Sequence, residues 1–116
     1  MQLMCSHCEE GDVDTLGIFG NRVVRLSGKG GLKVPHMGWN TLTNLSSPLM
    51  EGIPEGAYVY FVHSYGAEVN GNTIATTLYG DSFSASLSKG NFYGCQFHPE
   101  KSGEVGERIL RNLCSL

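Results

Sequence analysis

The sequence predicts a β-rich α/β fold, and three observations carry that prediction. Between residues 57 and 97, four segments rich in β-branched and aromatic residues follow one another across Gly, Asn and Ser turns. Val105, Ile109, Leu110 and Leu113 then fall on one face of a 3.6-residue period, so 103–114 reads as an amphipathic helix. The two are joined by "FHPEKS" (97–102), and strand, tight loop and helix in that order is the signature of an α/β unit.

Taken in order, "MQLMC" begins apolar and uncapped, which reads as the middle of a helix that "SHCEEG" (6–11) terminates, with Gly11 as the stop. A helix with neither a cap nor a preceding strand is expected at the cut edge of a larger fold. "NRVVRL" (21–26) has strand character, and "SGKGG" (27–31) is a flexible turn. "LKVPHMGWN" (32–40) is a short extended segment broken by Pro35, and "SSPLMEGIPEG" (46–56) carries turn and short-helix signals. "AYVYFVHSY" (57–65) is apolar on both faces, as a strand covered on both sides should be. "NGNTIATTLYG" (70–80) opens on a hairpin-type Asn-Gly and continues as a Thr-rich strand. In "SFSASLSKG" (82–90), Phe83, Ala85 and Leu87 alternate with serines, the period-two pattern of a half-exposed strand. "NFYGCQF" (91–97) is the last strand, and Ser102 is placed to cap the final helix.

The length, 116 residues, suits a single domain spanning 1–116, and a chain of this size buries roughly two-thirds of its unfolded surface. A net charge of −3 with scattered Lys and Arg argues against a nucleic-acid partner. No apolar run approaches a membrane span and the first residues lack a signal peptide, so the expected location is the cytoplasm. The four cysteines (Cys5, Cys8, Cys95, Cys114) are then expected as free thiols. The C-x-x-C of "CSHCEE" lacks a second ligand pair at metal spacing, which favours a solvated helix end over zinc. No cofactor or metal is expected.

The chemistry concentrates in "CQFHPE" (95–100), which holds Cys95, His98 and Glu100 within six residues. Glu100 can accept a hydrogen bond from one ring nitrogen of His98, which fixes the tautomer and frees the other nitrogen as a base. Pro99 stiffens the link. Cys95, three residues before His98 on the same strand, should face the opposite way and is a poor partner for it.

"GCQFHPEKSGEVGERILRNL" (94–113) resembles the C-terminal end of class I glutamine amidotransferases, whose His-x-Glu dyad serves a cysteine nucleophile. "KVPHMGWN" (33–40) and "YVYFVHSYG" (58–66) resemble, within that family, the glutaminase subunits of imidazole glycerol phosphate synthases of histidine biosynthesis. The resemblance runs over essentially the whole chain, with the motifs in the family's order. It implies the C-terminal, β-rich part of a flavodoxin-like amidotransferase domain. It implies His98 as base and Glu100 as its orienter. Gln2, His63, Ser64 and Tyr65 match positions lining the glutamine pocket. His36, Met37, Trp39 and Asn40 match a docking face for the cyclase subunit of (β/α)8-barrel fold, in a heterodimer.

In this family the nucleophile lies in a Gly-x-Cys-x-Gly-x-Gln elbow. Gln2 matches its glutamine, which would put the cysteine three positions before Met1. The chain is therefore expected to be N-terminally truncated, inactive alone, and prone to self-association through uncovered apolar surface. Two other readings stand beside this one. One is a different class I amidotransferase, such as an anthranilate or aminodeoxychorismate synthase component, against which "PHMGWN" speaks. The other is a non-catalytic binding module.

Overall fold

A computed structural model describes residues 1–116, with nine strands and one α-helix: β1 (His7–Cys8), β2 (Val13–Asp14), β3 (Arg22–Arg25), β4 (His36–Thr41), β5 (Tyr58–His63), β6 (Tyr65–Ala67), β7 (Thr73–Tyr79), β8 (Asp81–Lys89), β9 (Phe92–Cys95) and α1 (Gly103–Cys114). Seven strands form one sheet in the order β2-β1-β3-β6-β8-β7, with β9 also paired to β8. Only β1 and β3 run parallel; the other pairs are antiparallel. β4 and β5 form a separate antiparallel pair. The mixed α/β expectation holds, and α1 occupies the span that the apolar period marks. No helix is long and apolar enough to cross a membrane.

The main core lies where β4–β5, β7–β8 and α1 meet, around Leu42, Val59, Phe61, Phe83, Phe97 and Ile109. A second, smaller core holds Cys5, Cys8, Phe19, Val23, Ala67 and Leu87 beneath the N-terminal strands. Gly80 sits at the β7–β8 hairpin, between the paired Tyr79 and Asp81, with φ +79°, a conformation in which a side chain would be strained.

Several local expectations are corrected. Residues 1–10 contain no α-helix: Gln2–Met4 is a single 3-10 turn, and His7–Cys8 is a strand. The reason is tertiary. Backbone hydrogen bonds from Leu16, Gly17 and Phe19 to Leu3, Cys5 and Met4 tie the segment to 16–19. "CSHCEE" is accordingly no solvated helix end, since Cys5 and Cys8 are buried.

β5 is covered on one face only, because its sheet has just two strands and no outer layer. Val59, Phe61 and His63 point inward, while Tyr58 and Val62 are exposed. Conversely, β8 is covered on both faces in its middle, where Ser84 and Ser86 are as buried as Ala85. Their hydroxyls donate to the carbonyls of Glu68 and Gly94 at 2.7 Å, which makes serine tolerable there. Asn70-Gly71 does not join a hairpin, since β6 and β7 flank β8 on opposite sides. Ser102 does not cap α1 with its side chain; its hydroxyl donates instead to the His98 carbonyl at 2.6 Å.

Candidate active site

Phe97, buried in the main core, anchors the chain where it leaves β9. The next residue, His98, is pinned through its backbone at both ends. Its N–H donates to the Tyr60 carbonyl at 3.0 Å, and its carbonyl accepts from the Ser102 hydroxyl. The same hydroxyl accepts the Tyr60 N–H at 3.0 Å, so Ser102 staples the His98 loop to β5. Pro99 then opens a 3-10 turn, Pro99–Lys101, that carries Glu100. Gly106 lets α1 press on this turn, because a Cβ there would stand 1.8 Å from the Pro99 carbonyl oxygen.

The result is a histidine on a pinned backbone with a bonded carboxylate partner: His98 Nδ1 lies 2.8 Å from Glu100 Oε1. A carboxylate only accepts, so Nδ1 carries a proton, and in the neutral ring Nε2 keeps its lone pair. Both side chains are open to solvent. The Glu100 carboxyl is held below the usual carboxylate range, first by its own backbone N–H and then by the His98 ring.

A cleft of about 420 Å³ opens beside the ends of β5 and β6, and Gln2, His63, Ser64 and Tyr65 all line it. Gln2 Nε2 donates to the Tyr65 carbonyl at 2.8 Å and to Gln96 Oε1 at 2.7 Å. Sequence reasoning missed Gln96 as a cleft residue. Its signal was present: it stands two residues before His98, the spacing that repeats a side in an extended segment.

None of the four cysteines is exposed beside this dyad in a reactive state. Burial pushes the Cys95 thiol up, and it sits 3.5 Å from the Ser86 hydroxyl. Cys5 is likewise raised by burial, Cys8 is buried, and Cys114 is on the last turn of α1.

On β4, Met37 and Trp39 point outward, and Trp39 packs edge-on against Tyr60 at 5.9 Å. Together with Tyr58 and Val62 they make an exposed apolar surface on the two-stranded sheet. His36 departs from the expected docking face. It is only 3 % exposed and faces the core, because side chains alternate along a strand. Asn40 is on the same side as His36 and hydrogen-bonds to it.

Residues 1–115 match the family profile of the glutamine amidotransferase class-I domain. A Bacteroides fragilis imidazole glycerol phosphate synthase subunit HisH is 56 % identical over 117 aligned positions, covering 100 % of this chain and 60 % of that protein. A HisH protein of Xylella fastidiosa is 48 % identical, again over the whole chain and 58 % of the relative. The chain thus spans about 60 % of the length of the curated relatives it matches. A solved structure from Thermoplasma acidophilum, described as a candidate GMP synthase component, superposes with a TM-score of 0.64 at 20 % identity, over 83 % of this chain and 48 % of that one. The last comparison concerns the fold alone; the match over residues 1–115 shows that the chain belongs to the class I glutamine amidotransferase family.

Proposed function

We propose that these residues form the base-bearing part of a glutaminase subunit that supplies ammonia to imidazole glycerol phosphate synthesis. The observation that carries this reading is the His98–Glu100 hydrogen bond on a doubly pinned loop, in a chain similar to HisH proteins throughout.

His98 Nε2 takes the proton of a cysteine thiol as its sulfur attacks the glutamine carboxamide carbon. The same proton goes to the departing nitrogen, which leaves as ammonia from a glutamyl thioester. Water, deprotonated by His98, then cleaves the thioester and releases glutamate. Glu100 holds the ring so that Nε2 faces the reaction. The cleft at Gln2, His63, Ser64, Tyr65 and Gln96 holds the glutamine. Met37 and Trp39 dock on the cyclase subunit of (β/α)8-barrel fold, with Asn40 bracing their strand from within.

In this reading the nucleophile is a cysteine outside residues 1–116: Cys5 and Cys8 are buried, burial also disfavours the thiolate of Cys95, and Cys114 stands at the end of α1 away from the His98 loop. The test is a glutaminase assay on the 116-residue chain beside a chimera that adds the part of the Bacteroides fragilis relative this chain does not match, each mixed with that organism's cyclase subunit. The chimera hydrolyses glutamine and the 116-residue chain does not. Equal activity in both would mean that one of these four cysteines is the nucleophile. Replacing Trp39 with Ala in the chimera weakens association with the cyclase at least tenfold, as loss of a tryptophan anchor does; unchanged affinity in a titration would remove β4 from the docking face.

A further inference from the structure

The strongest feature outside the dyad is a second histidine pair. β4 and β5 are registered so that His36 and His63 stand directly opposite each other on the inner face. Both are buried, stacked among Phe61, Tyr79 and Phe83, and neither ring bonds to a carboxylate. Imidazoles so placed need some reason to be preferred to apolar residues.

Their hydrogen bonds run in one direction. His63 Nδ1 lies 2.9 Å from the Tyr65 carbonyl, which can only accept, so Nδ1 carries the proton. In a neutral ring, His63 Nε2 is then an acceptor, and it is met at 3.0 Å by His36 Nδ1, which must donate. His36 Nε2 is left as an acceptor for the Asn40 Nδ2 amide at 3.3 Å. Asn40 gives its other N–H to the Leu78 carbonyl and accepts the Thr41 N–H, so its orientation is fixed too. The far end of this chain is in the cleft, because the Tyr65 carbonyl also accepts from Gln2 Nε2. With its second N–H on Gln96 Oε1, Gln2 has both amide protons engaged. Its Oε1, and Gln96 Nε2, remain as an acceptor and a donor for whatever the cleft holds.

We propose that His36 and His63 are positioning residues: a neutral, one-way imidazole relay from Asn40 to the Tyr65 carbonyl that fixes the Gln2 amide at the rim of the cleft. That the cleft takes glutamine rests on the function proposed above; the relay itself does not. Burial, with His63 nearby, holds the His36 ring down at about 4, and burial lowers His63, so both rings stay neutral near pH 7.

Nitrogen-15 and carbon-13 NMR of the unmodified 116-residue chain at pH 7 tests this without any activity. Both rings are expected as neutral Nδ1–H tautomers, opposite to the Nε2–H form that free histidine prefers. An Nε2–H tautomer or an imidazolium at either site overturns the relay. A second arm follows the side-chain amide protons of Gln2. His36→Leu removes the donor, and exchange of those protons with solvent speeds about tenfold, the scale of one lost hydrogen bond. His36→Asn, whose amide N–H stands near the Nδ1 position, restores slow exchange. Unchanged exchange in the Leu variant, or equal acceleration in both, overturns the proposal; should the Leu variant not fold, the tautomers of the unmodified chain decide it. The glutaminase reading fails separately, in the chimera assay.

Discussion

Two histidine pairs in this molecule use the same side chain for opposite ends. His98 faces a carboxylate in solvent, whereas His36 faces another imidazole inside an aromatic core. In the first pair the partner accepts one proton and leaves the second nitrogen unengaged, which is what a base requires. In the second, all four ring nitrogens are engaged, so the pair can hold geometry but has no lone pair to offer. The backbone repeats the contrast. His98 is on a loop between a strand and a helix, pinned by Tyr60 and Ser102, while His36 and His63 are inside paired strands. Reactivity in a histidine therefore follows from what its partner leaves free.

The sharpest way to break the comparison is to remove each ring in turn. In the chimera, His98→Ala lowers kcat for glutamine hydrolysis by a thousandfold or more, because members of a catalytic unit fail together. The same substitution shifts thermal stability by no more than about 0.5 kcal/mol, as expected for an exposed side chain. A large loss of stability with retained turnover would reverse the roles assigned to the two pairs.

Acid separates them next. In the fold, His36 takes up a proton only near pH 4 and His63 is lowered too, whereas a histidine in the unfolded chain does so near 6.5. Between those values the unfolded chain binds more protons, so stability rises with pH across the window and is level above it. Lowering the pH from 7 to 4 therefore costs up to about 3 kcal/mol through His36, read from urea midpoints at stepped pH. Glu100 adds to the loss only below the ordinary carboxylate range, since its own value is depressed. His7 runs the other way: its hydrogen bond to Asp14 and a second to Asp12 raise it, so its contribution is present below about 6.5 and fades as pH rises. A stability profile flat from 7 to 4 would mean that the buried rings accept protons freely.

Next in size, His36→Leu costs about 2 kcal/mol in urea denaturation, since it strands His63 Nε2 without a donor in a buried site. It also flattens the acid limb. Leu in place of His36 with no loss of stability would show that the aromatic cage, and not the hydrogen bonds, sets the packing of β4 against β5.

What the sequence made legible was local. The helix over 103–114 rests on a period within one segment, and the His98–Glu100 contact spans two residues of a stiff loop, so both could be read without knowing the fold. The outer face of β5 could not, because Tyr58 and Val62 look like core residues until the sheet is known to have two strands and no cover. Ser84 and Ser86 misled for the inverse reason: their burial depends on Glu68 and Gly94, which other strands bring. At the N-terminus, apolar residues suggested a helix, but the partners of Met4 and Cys5 are Phe19 and Gly17. His36 and His63 are 27 residues apart and meet only through strand register, and Gln2 finds Gln96 94 residues away. The candidate dyad lies within one short stretch of sequence, whereas the cleft is assembled from stretches far apart.

The finest discrimination is between charge and orientation within the exposed pair. Glu100→Gln keeps an oxygen that can accept from His98 Nδ1 but removes the negative charge that, in the proposed reaction, steadies the imidazolium formed when Nε2 takes the thiol proton. Because the pair is open to solvent, that charge is screened and is worth little to the fold. The expected result in the chimera is a fall in kcat of about tenfold with KM and thermal midpoint unchanged, for an interaction made only once proton transfer begins. Glu100→Ala removes the acceptor too, frees the ring to turn, and should cost several times more. Should Gln and Ala reduce kcat equally, the carboxylate acts through its charge alone. Should Gln match the unmodified residue, it acts only by holding the ring, which would bring His98 closer in kind to the buried pair than its exposure suggests.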